Sequence, residues 1–323
     1  MVPEPSLVER FRSDLDALAS PGARLGIAVS GGPDSTALLL LASAARPDRI
    51  EAATVDHALR PEGRAEAELV GELCSRLGVP HSILTIEWDA IPKAQIQAEA
   101  SFHRYRLLGD WAEERAIPAI ATAHHLDDQC ETLLMRLNRG AGVSGLFGIR
   151  AARPLTEQVT VIRPLIRWRR FELAAICDAA GVRAVDDPSN DDPRFERTRV
   201  RRLLATTDWL EPARIAQSAD NLGEAEEALD WAAEQLIRER IRWDGDDILV
   251  DGRDLPAELQ RRLLIAAHEF GGNTALRGPD LKRAIQTLYA GGSATLGKLK
   301  MVGEPVWRLQ VAPPRRREKT AKG

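Results

Sequence analysis

The 323-residue sequence predicts an α/β fold, with a doubly wound, mainly parallel sheet and a second, smaller α+β domain. Through the first half of the chain, short apolar runs alternate with amphipathic stretches at helical spacing. Such alternation is typical of a parallel sheet that carries helices on both faces. Near residue 210 the pattern changes to a long acidic helix followed by short strands, and the chain is long enough for two separate cores.

Five apolar runs are predicted to be the strands of the first domain: Leu25–Val29, Ile50–Val55, Ser82–Ile86, Ala119–Ala123 and, more weakly patterned, Val159–Ile166. Helices are predicted between them at Thr36–Ala45, Glu62–Leu77 and Gln95–Ala116. In sheets of this kind, ligands bind at the carboxyl ends of the strands. Three polar motifs directly follow strands, so we expect them to lie at one edge of the sheet: Ser30–Ser35, Asp56-His57 and His124-His125.

The predicted second domain begins after Leu210-Glu211-Pro212. An acidic helix comes first, with leucines every seven residues at Leu222, Leu229 and Leu236. It is followed by a short strand, two helices and a weakly alternating stretch, at Ile248–Val250, Pro256–Phe270, Pro279–Ala290 and Ala294–Val311. The sequence therefore divides into residues 1–210, residues 211–314 and a basic tail, residues 315–323, that is predicted to be disordered.

Composition disfavours several classes of protein. The three cysteines, Cys74, Cys130 and Cys177, are widely spaced and suit a reducing compartment better than a disulfide framework. The first fifteen residues are rich in charge and have no apolar core, and no later stretch approaches the length of a membrane span. We therefore expect a cytoplasmic protein without membrane association. Its oligomeric state stays open, with a homodimer as one alternative.

Positive charge is concentrated locally, although the net charge of −4 argues against a uniformly basic nucleic-acid binder. Five arginines lie in one short stretch: Arg194, Arg197, Arg199, Arg201 and Arg202. On charge alone, this stretch is equally a solvated helix face or a contact surface for nucleic-acid phosphates.

The most informative stretch is Ser30-Gly31-Gly32-Pro33-Asp34-Ser35, which stands between a predicted strand and a predicted helix. Glycine lets the backbone take positive φ and approach an anion, and a helix start favours negative charge, so this turn predicts a phosphate cradle. Asp34 beside phosphate indicates a divalent cation between them, which predicts a magnesium nucleotide. The stretch lacks the Gly-Lys-Ser/Thr ending of a Walker loop, which disfavours kinase and GTPase chemistry.

A second motif, His124–Thr132, begins at a strand end and continues into a helix whose inner face is predicted to carry Cys130, Leu133, Leu134 and Leu137. Asp128 and Glu131, three residues apart, are predicted to share the opposite face. These carboxylates either cap the helix or bind a cationic substrate or magnesium near the phosphate cradle. A zinc site is disfavoured, because no third ligand stands at standard spacing.

The first motif resembles the PP-loop of the N-type ATP pyrophosphatases, which cleave ATP to AMP and pyrophosphate. Within that superfamily the chain is similar to the tRNA(Ile)-lysidine synthase family. The similarity covers about the first 210 residues and rests on these further motifs: Val55–Arg60, Phe102–Arg106, His124–Thr132, Arg139–Gly148, Arg163-Pro164-Leu165 and Asp187–Asn190. One departure is Thr198, which stands where the family pattern has asparagine.

The resemblance implies a Rossmann-like PP-loop fold and a two-step reaction on an isoleucine tRNA with a CAU anticodon. ATP adenylates the carbonyl oxygen of the wobble cytidine, and free L-lysine then displaces AMP to form lysidine. ATP and Mg²⁺ are the implied cofactors, with Asp34 as the protein ligand of the magnesium ion. The implied ATP-binding residues are Ala28, Ser30, Gly31, Gly32, Pro33, Asp34, Ser35, His57 and Arg60.

By the same matching, Arg104, Asp128 and Glu131 are expected to bind lysine, and either Asp128 or His124 is the base that frees its amine. Asp34 joins these two as a candidate catalytic residue. The arginine stretch is expected to contact tRNA phosphates while the second domain binds the acceptor stem. Two rivals stay open: a tRNA thiolation enzyme, which needs reactive cysteines, and a non-catalytic RNA-binding protein with a degenerate loop.

Overall fold

The computed structural model of the chain describes residues 2–90, 96–182, 196–272, 278–303 and 305–311. The chain divides into two compact units, Met1–Gly223 and Glu224–Gly323. The division falls within helix α9 (Pro212–Arg240). The basic tail and the Asp187–Asn190 motif lie outside the described residues. The domain boundary placed at residue 210 stays a prediction from the sequence.

The sheet of the first unit is built from β1 (Leu25–Ala28), β2 (Ile50–Asp56), β3 (His81–Thr85), β4 (Ala119–Ala121), β5 (Ala152–Pro154) and β6 (Thr160–Ile162). Its order is β3-β2-β1-β4-β6-β5, and every pairing is parallel except that of β5 with β6. The predicted α/β class is therefore confirmed. Because β1 pairs with both β2 and β4, the strand order reverses beside β1, which is where α/β proteins bind ligands.

The helices described in this unit before α9 are α1 (Pro5–Asp16), α2 (Pro33–Ala45), α3 (Glu62–Leu77), α4 (Ile96–Glu114), α5 (Leu126–Asn138), α6 (Val143–Leu146), α7 (Arg170–Ala179) and α8 (Glu196–Thr206). Helix α2 is buried on all sides, and residues 37–42 have no exposed surface. Helices α1 and α7 both pack against it. A helix enclosed in a close-packed core cannot shift freely, so α2 fixes the position of the Ser30–Ser35 loop.

Helix α1 was not predicted from the sequence, which is rich in charge at its start. Val8, Phe11 and Leu15 of α1 are buried in the main core of this unit. Their spacing places them on one face of the helix, while Glu9 and Arg10 between them are exposed. Strand β5 was also not predicted, because it is short, lies at the sheet edge and ends in Pro154, a residue that strands tolerate only at such positions.

The second unit carries an antiparallel sheet with the strand order β7-β8-β11-β10-β9. Its elements after α9 are β7 (Ile241–Asp244), β8 (Asp247–Val250), α10 (Ala257–Phe270), α11 (Gly278–Tyr289), β9 (Ser293–Leu296), β10 (Leu299–Val302) and β11 (Trp307–Val311). Helix α10 and the sheet bury a separate apolar core that includes Leu263, Met301 and Trp307. Among the described residues, no helix has the length and apolar character that crossing a membrane requires.

Candidate active site

The loop between β1 and α2 contains one position that only glycine suits. Gly31 has a φ of +87°, in the left-handed region that other residues rarely adopt. Gly32 differs from the expectation, because it is the N-cap of α2 with a φ of −68° and extended backbone. Pro33 begins α2, where its missing N–H costs nothing. The two glycines therefore do different things: Gly31 turns the chain, and Gly32 starts the helix.

Two serine hydroxyls hold this loop in shape. The backbone N–H of Ser30 donates to Ser35 Oγ at 3.1 Å, and Ser35 Oγ donates to the Gly32 carbonyl at 3.0 Å. The Ser30 and Ser35 hydroxyl oxygens lie 3.2 Å apart. The first N–H groups of a helix have no partner within the helix and carry the positive end of its dipole. A loop fixed in this way at the start of α2 is suited to a phosphate group.

Asp34 lies in the first turn of α2, and its two carboxylate oxygens have different surroundings. Oδ2 is 3.4 Å from Nε2 of His125. Oδ1 is buried and has no hydrogen-bond partner in the described part of the chain. A buried carboxylate oxygen without a donor suits a cation, so Asp34 fits the Mg²⁺ of a magnesium nucleotide. No group of three His, Cys, Asp or Glu side chains among the described residues could hold a metal alone, so phosphate oxygens would have to supply further ligands.

His125 connects the two motifs, although no site role was predicted for it from the sequence. Its fully buried ring is the N-cap of α5, where Nδ1 accepts the backbone N–H of Asp128 at 3.3 Å. Nε2 therefore carries the proton, and it lies 3.4 Å from Asp34 and 3.6 Å from Asp128. Burial acts to lower the pKa of His125, but Asp34 and Asp128 outweigh it and the pKa is raised. Its place directly after a strand, beside His124, was the available signal.

Asp128 and His124 are held in defined protonation states. Burial opposes ionisation of Asp128, but His125, His124 and Arg197 together lower its pKa below the usual range, so the carboxylate stays charged. Asp128 also accepts the His125 backbone N–H at 3.1 Å, which completes a reciprocal cap. Burial lowers the pKa of His124 to about 4, so its imidazole is neutral near pH 7. Its Nδ1 lies 3.0 Å from the Thr122 hydroxyl.

Glu131 is buried against three arginines. Its side chain is 1% exposed, with Oε1 3.0 Å from both Arg170 and Arg201 and Oε2 3.6 Å from Arg197. This arrangement gives no support to the expectation that Glu131 binds lysine, because a carboxylate shared by three guanidiniums is already compensated. Two residues of α5 therefore differ from the prediction. Glu131, which was placed on the outer face, is buried, and Leu137, which was placed on the inner face, is exposed.

A cavity of about 450 Å³ brings the sequence motifs together, and its size suits a small-molecule ligand. Arg170, Arg197 and Arg201 line it from α7 and α8. The other lining residues that the sequence analysis named are Ala28, Ser30, Gly32, Pro33, Asp34, Ser35, His57, Arg104, His124 and Asp128. Arg170 was missed, because nothing in the sequence distinguishes it from the neighbouring Arg167 and Arg169.

A second cavity, of about 820 Å³, shares Ser30, Gly32, His57 and Arg104 with the first. Arg60 lines this second cavity, where it pairs with Glu66 at 3.2 Å. Burial and the nearby Arg104 lower the pKa of His57, so it is neutral near pH 7. Two arginines of the basic stretch, Arg199 and Arg202, are exposed on α8 and line neither cavity. A third, Arg194, lies outside the described residues.

The three cysteines are unsuited to sulfur transfer. Cys74, Cys130 and Cys177 are buried and free. Burial raises the pKa of Cys74 and Cys130 to about 12 and that of Cys177 to about 11. Because the thiolate is the reactive form of cysteine, these thiols are inert near neutral pH. This observation disfavours the thiolation enzyme as a rival.

The parallel sheet, the loop before α2 and the cavity at the strand reversal define a PP-loop protein, and the family model of the PP-loop domain matches residues 7–207. The chain is 44% identical over 305 residues to tRNA(Ile)-lysidine synthase of Zymomonas mobilis, covering 93% of this chain and 92% of that relative. It is also 44% identical over 319 residues to the enzyme of that name from Novosphingobium aromaticivorans, covering 96% and 95%. The chain therefore belongs to the tRNA(Ile)-lysidine synthase family, as its motifs predicted.

Similarity in fold extends to solved structures, among them one of a tRNA thiolase. The U34-tRNA thiolase NcsA from Methanococcus maripaludis, with its [4Fe-4S] cluster, aligns with a TM-score of 0.56 and 16% sequence identity, covering 67% of this chain and 78% of that chain. At this identity the similarity concerns the fold alone. It supports the Rossmann-like PP-loop architecture predicted from the sequence.

Proposed function

We propose that this protein is a tRNA(Ile)-lysidine synthase, a ligase that joins free L-lysine to the wobble cytidine of an isoleucine tRNA with a CAU anticodon and converts ATP to AMP and pyrophosphate. One observation carries the proposal. A single cavity joins the PP-loop, a charged carboxylate and a set of arginines, in a chain 44% identical over most of its length to an enzyme of that name. We further propose that the enzyme works in the cytoplasm, with the homodimer as an open alternative.

In the first step, the cytidine ring carbonyl oxygen attacks the α-phosphorus of ATP and pyrophosphate leaves. The N–H groups at the start of α2 hold the phosphates, and Arg170, Arg197 and Arg201 offset the charge that builds on the leaving pyrophosphate. Asp34 and the phosphates would hold Mg²⁺, which would supply Lewis-acid stabilisation of the developing charge. The buried ring of His125 orients Asp34 by its contact with Oδ2, which leaves Oδ1 for the cation.

In the second step, the lysine ε-amine attacks the activated ring carbon and AMP departs with the bonding electrons. The amine must be neutral to attack, so its proton has to be removed. Charged Asp128 binds the amine end, and Arg104 pairs with the lysine carboxylate across the same cavity. Asp128 and neutral His124 are the two candidate bases. The exposed Arg199 and Arg202 of α8 contact tRNA phosphates in this proposal.

Mass spectrometry of tRNA nucleosides tests the proposal directly. The purified chain is incubated with ATP, Mg²⁺, isotopically labelled lysine and an isoleucine tRNA with a CAU anticodon. We expect labelled lysidine, with one AMP released for each lysidine formed. Asp34→Asn should abolish the product, whereas Asp48→Asn, an exposed aspartate beyond the far end of α2, should not.

Two outcomes would favour the rivals. Absence of AMP with every candidate substrate would indicate a non-catalytic RNA-binding protein. Incorporation of sulfur that disappears when Cys74, Cys130 and Cys177 are replaced by serine would indicate thiolation. Retention of lysidine formation in that triple variant would exclude a catalytic cysteine.

A further inference from the structure

Two sequence motifs that the proposed reaction leaves largely unexplained meet in the first unit. Arg104-Tyr105-Arg106 lies on α4, and Arg163 begins the Arg163-Pro164-Leu165 motif directly after β6. Arg153 of the antiparallel edge strand β5 joins them at the Tyr105 ring. We refer to Tyr105 and its surrounding arginines as the Tyr105 cluster: Arg104, Arg150, Arg153 and Arg163.

Tyr105 is the centre of this cluster. The guanidinium carbon of Arg104 lies 4.8 Å from the Tyr105 ring centroid, and that of Arg153 lies 4.4 Å from it. Burial acts to raise the pKa of Tyr105, but the positive charges of Arg104, Arg163 and Arg153 outweigh it and the pKa is lowered. Arg163 also donates to the Arg150 carbonyl at 2.6 Å. The Arg150 guanidinium in turn lies 4.7 Å from the Phe147 ring centroid. Stacking on aromatic rings holds guanidiniums in fixed planes.

The four arginines of the Tyr105 cluster have no salt-bridge partner in the described part of the chain. Arg163 is 4% exposed, and the Nε atoms of Arg104 and Arg163 are buried without a hydrogen-bond partner. Gathering like charges with unsatisfied donors is unfavourable unless an anion completes the arrangement. The cluster therefore has the properties of an anion-binding site.

The position and extent of the cluster identify the kind of anion. Arg104 lines the active-site cavity, whereas Arg150 is exposed, so the arginines extend from the cavity wall to the protein surface. Free lysine carries one carboxylate and two amino groups, so several additional guanidiniums would repel it. A chain of phosphodiesters matches an extended row of arginines interleaved with aromatic rings.

We propose that the Tyr105 cluster binds the phosphodiester backbone of the tRNA beside the reacting cytidine. The inference rests on the proposed function, since it takes tRNA as the substrate. It assigns to Arg150, Arg153 and Arg163 a role in holding RNA at the cavity entrance. Arg104 stands at the junction between the RNA backbone and the lysine site.

Salt-dependent binding of the tRNA to the full-length protein tests this inference. Arg150→Gln, Arg153→Gln and the double variant remove exposed or half-exposed charges without touching the buried Arg163. The matched control is Arg12→Gln on α1, whose guanidinium contacts the Ala45 carbonyl at the end of α2 remote from the loop. The dissociation constant of an isoleucine tRNA transcript is measured over a series of KCl concentrations, and KM values for ATP and lysine are measured at saturating tRNA.

For the double variant we expect tRNA affinity at low salt to fall by about ten- to a hundredfold. The slope of log affinity against log salt should flatten by roughly two, about one for each phosphate that the variant no longer neutralises. Both KM values should stay at the wild-type level, and Arg12→Gln should leave the slope unchanged. An unaltered slope in the double variant, or an equal flattening in the control, overturns the inference. A raised KM for lysine with unaltered tRNA binding overturns it in favour of a carboxylate site.

The experiment distinguishes failure of the proposed function from failure of the tRNA-binding role of the Tyr105 cluster. If the proposed function fails, the wild-type protein forms no lysidine, whatever the binding data for the variants. If the wild-type protein forms lysidine while the double variant binds tRNA with the wild-type salt dependence, only the assignment of the Tyr105 cluster fails. The urea midpoint of each variant shows that the compared proteins are equally folded.

Discussion

Each unit of the molecule contains a buried arginine–carboxylate network, and the two networks have opposite charge ratios. In the first unit, Arg170, Arg197 and Arg201 share the carboxylate of Glu131, and Arg170 also lies 3.8 Å from Asp128. In the second unit, the guanidinium of Arg262 contacts three carboxylates, those of Glu226, Asp230 and Glu258, and Arg261 also pairs with Glu258. The first network therefore has excess positive charge, and the second has excess negative charge.

The surroundings explain this difference. The three arginines of the first network line the cavity at the start of α2, so their unbalanced charge is available to an anionic ligand. The arginine of the second network is 8% exposed and lies among carboxylates of α9 and α10. We infer that the first network binds ligand and the second holds two helices together. Variants of each should therefore fail in different assays.

The largest effect is expected for Arg262→Met. The change leaves Glu226, whose side chain is 7% exposed, as a buried carboxylate without its partner. Removing one member of a buried ion pair typically costs about 3–5 kcal/mol in the free energy of unfolding. Urea denaturation measures this loss. Arg261→Met is the matched control and should cost less than about 1 kcal/mol, because that guanidinium is 30% exposed. Equal losses in the two variants would show that burial does not distinguish the networks.

Arg201→Met should have the next largest effect, on activity and not on folding. The variant removes one of the guanidiniums that face the phosphates in the proposed reaction. Loss of one such charge from a preorganised site typically lowers turnover by about 10²–10³-fold. Lysidine formation at saturating ATP and lysine is the measurement, with the urea midpoint as the check on folding. Arg76→Met, at the end of α3 and exposed, should keep full turnover. A large drop in the urea midpoint of Arg201→Met would assign the first network to the scaffold.

Glu131→Gln tests whether the positions of the three arginines matter for activity as well as their charge. The variant keeps all three guanidiniums but removes the carboxylate that gathers them, so we expect turnover to fall about tenfold. If Glu131 acts only through these arginines, the KM for lysine stays unchanged while the rate of the ATP-dependent step falls. A selective rise in the KM for lysine would restore the original expectation that Glu131 binds the amino acid. Glu226→Gln, the corresponding change in the second unit, should leave both kinetic constants unaltered.

Elements with a strong local signal were predicted well from the sequence. Helix Glu62–Leu77 has the predicted bounds, because its apolar spacing and the glycine after it mark both ends. The strands of the parallel sheet were found through their apolar runs, with ends that differ by a few residues. Helix α1 was missed because its charges hid three apolar positions, and β5 was missed because so short an edge strand depends on its neighbour for its pairing.

The parts of the candidate site that lie within one sequence motif were predicted. The contacts between elements that are distant in the sequence were missed. Ser30–Ser35 stands out in the sequence, since a strand, glycines and a helix start occur together. The contact of His125 with Asp34 joins residues ninety-one positions apart, so no local pattern predicts it. The same holds for Glu131, which looked like an outward-facing acid until α7 and α8 supplied the arginines that cover it.

The smallest expected effect tests the second network by pH. Hydrogen bonds from Arg261, aided by the charge of Arg262, lower the pKa of Glu258 below its usual 4.5. A group with a lowered pKa in the folded state stabilises the fold above its unfolded pKa, and this contribution is lost as the pH falls through the folded value. Because Glu258 is 36% exposed, its contribution at pH 7 should be only about 0.5–1 kcal/mol.

Glu258→Gln should therefore be slightly less stable than the wild type at pH 7 and equally stable once the pH is well below 4.5, as measured by urea denaturation at both pH values. Glu269→Gln is the matched control, since Glu269 is exposed at the end of the same helix and its loss should change little at either pH. A stability difference that persists undiminished in acid would mean that Glu258 contributes through packing and not through its charge. The excess of carboxylates in the second network would then have no electrostatic role at this position, and the contrast between the two networks would rest on Arg262 alone.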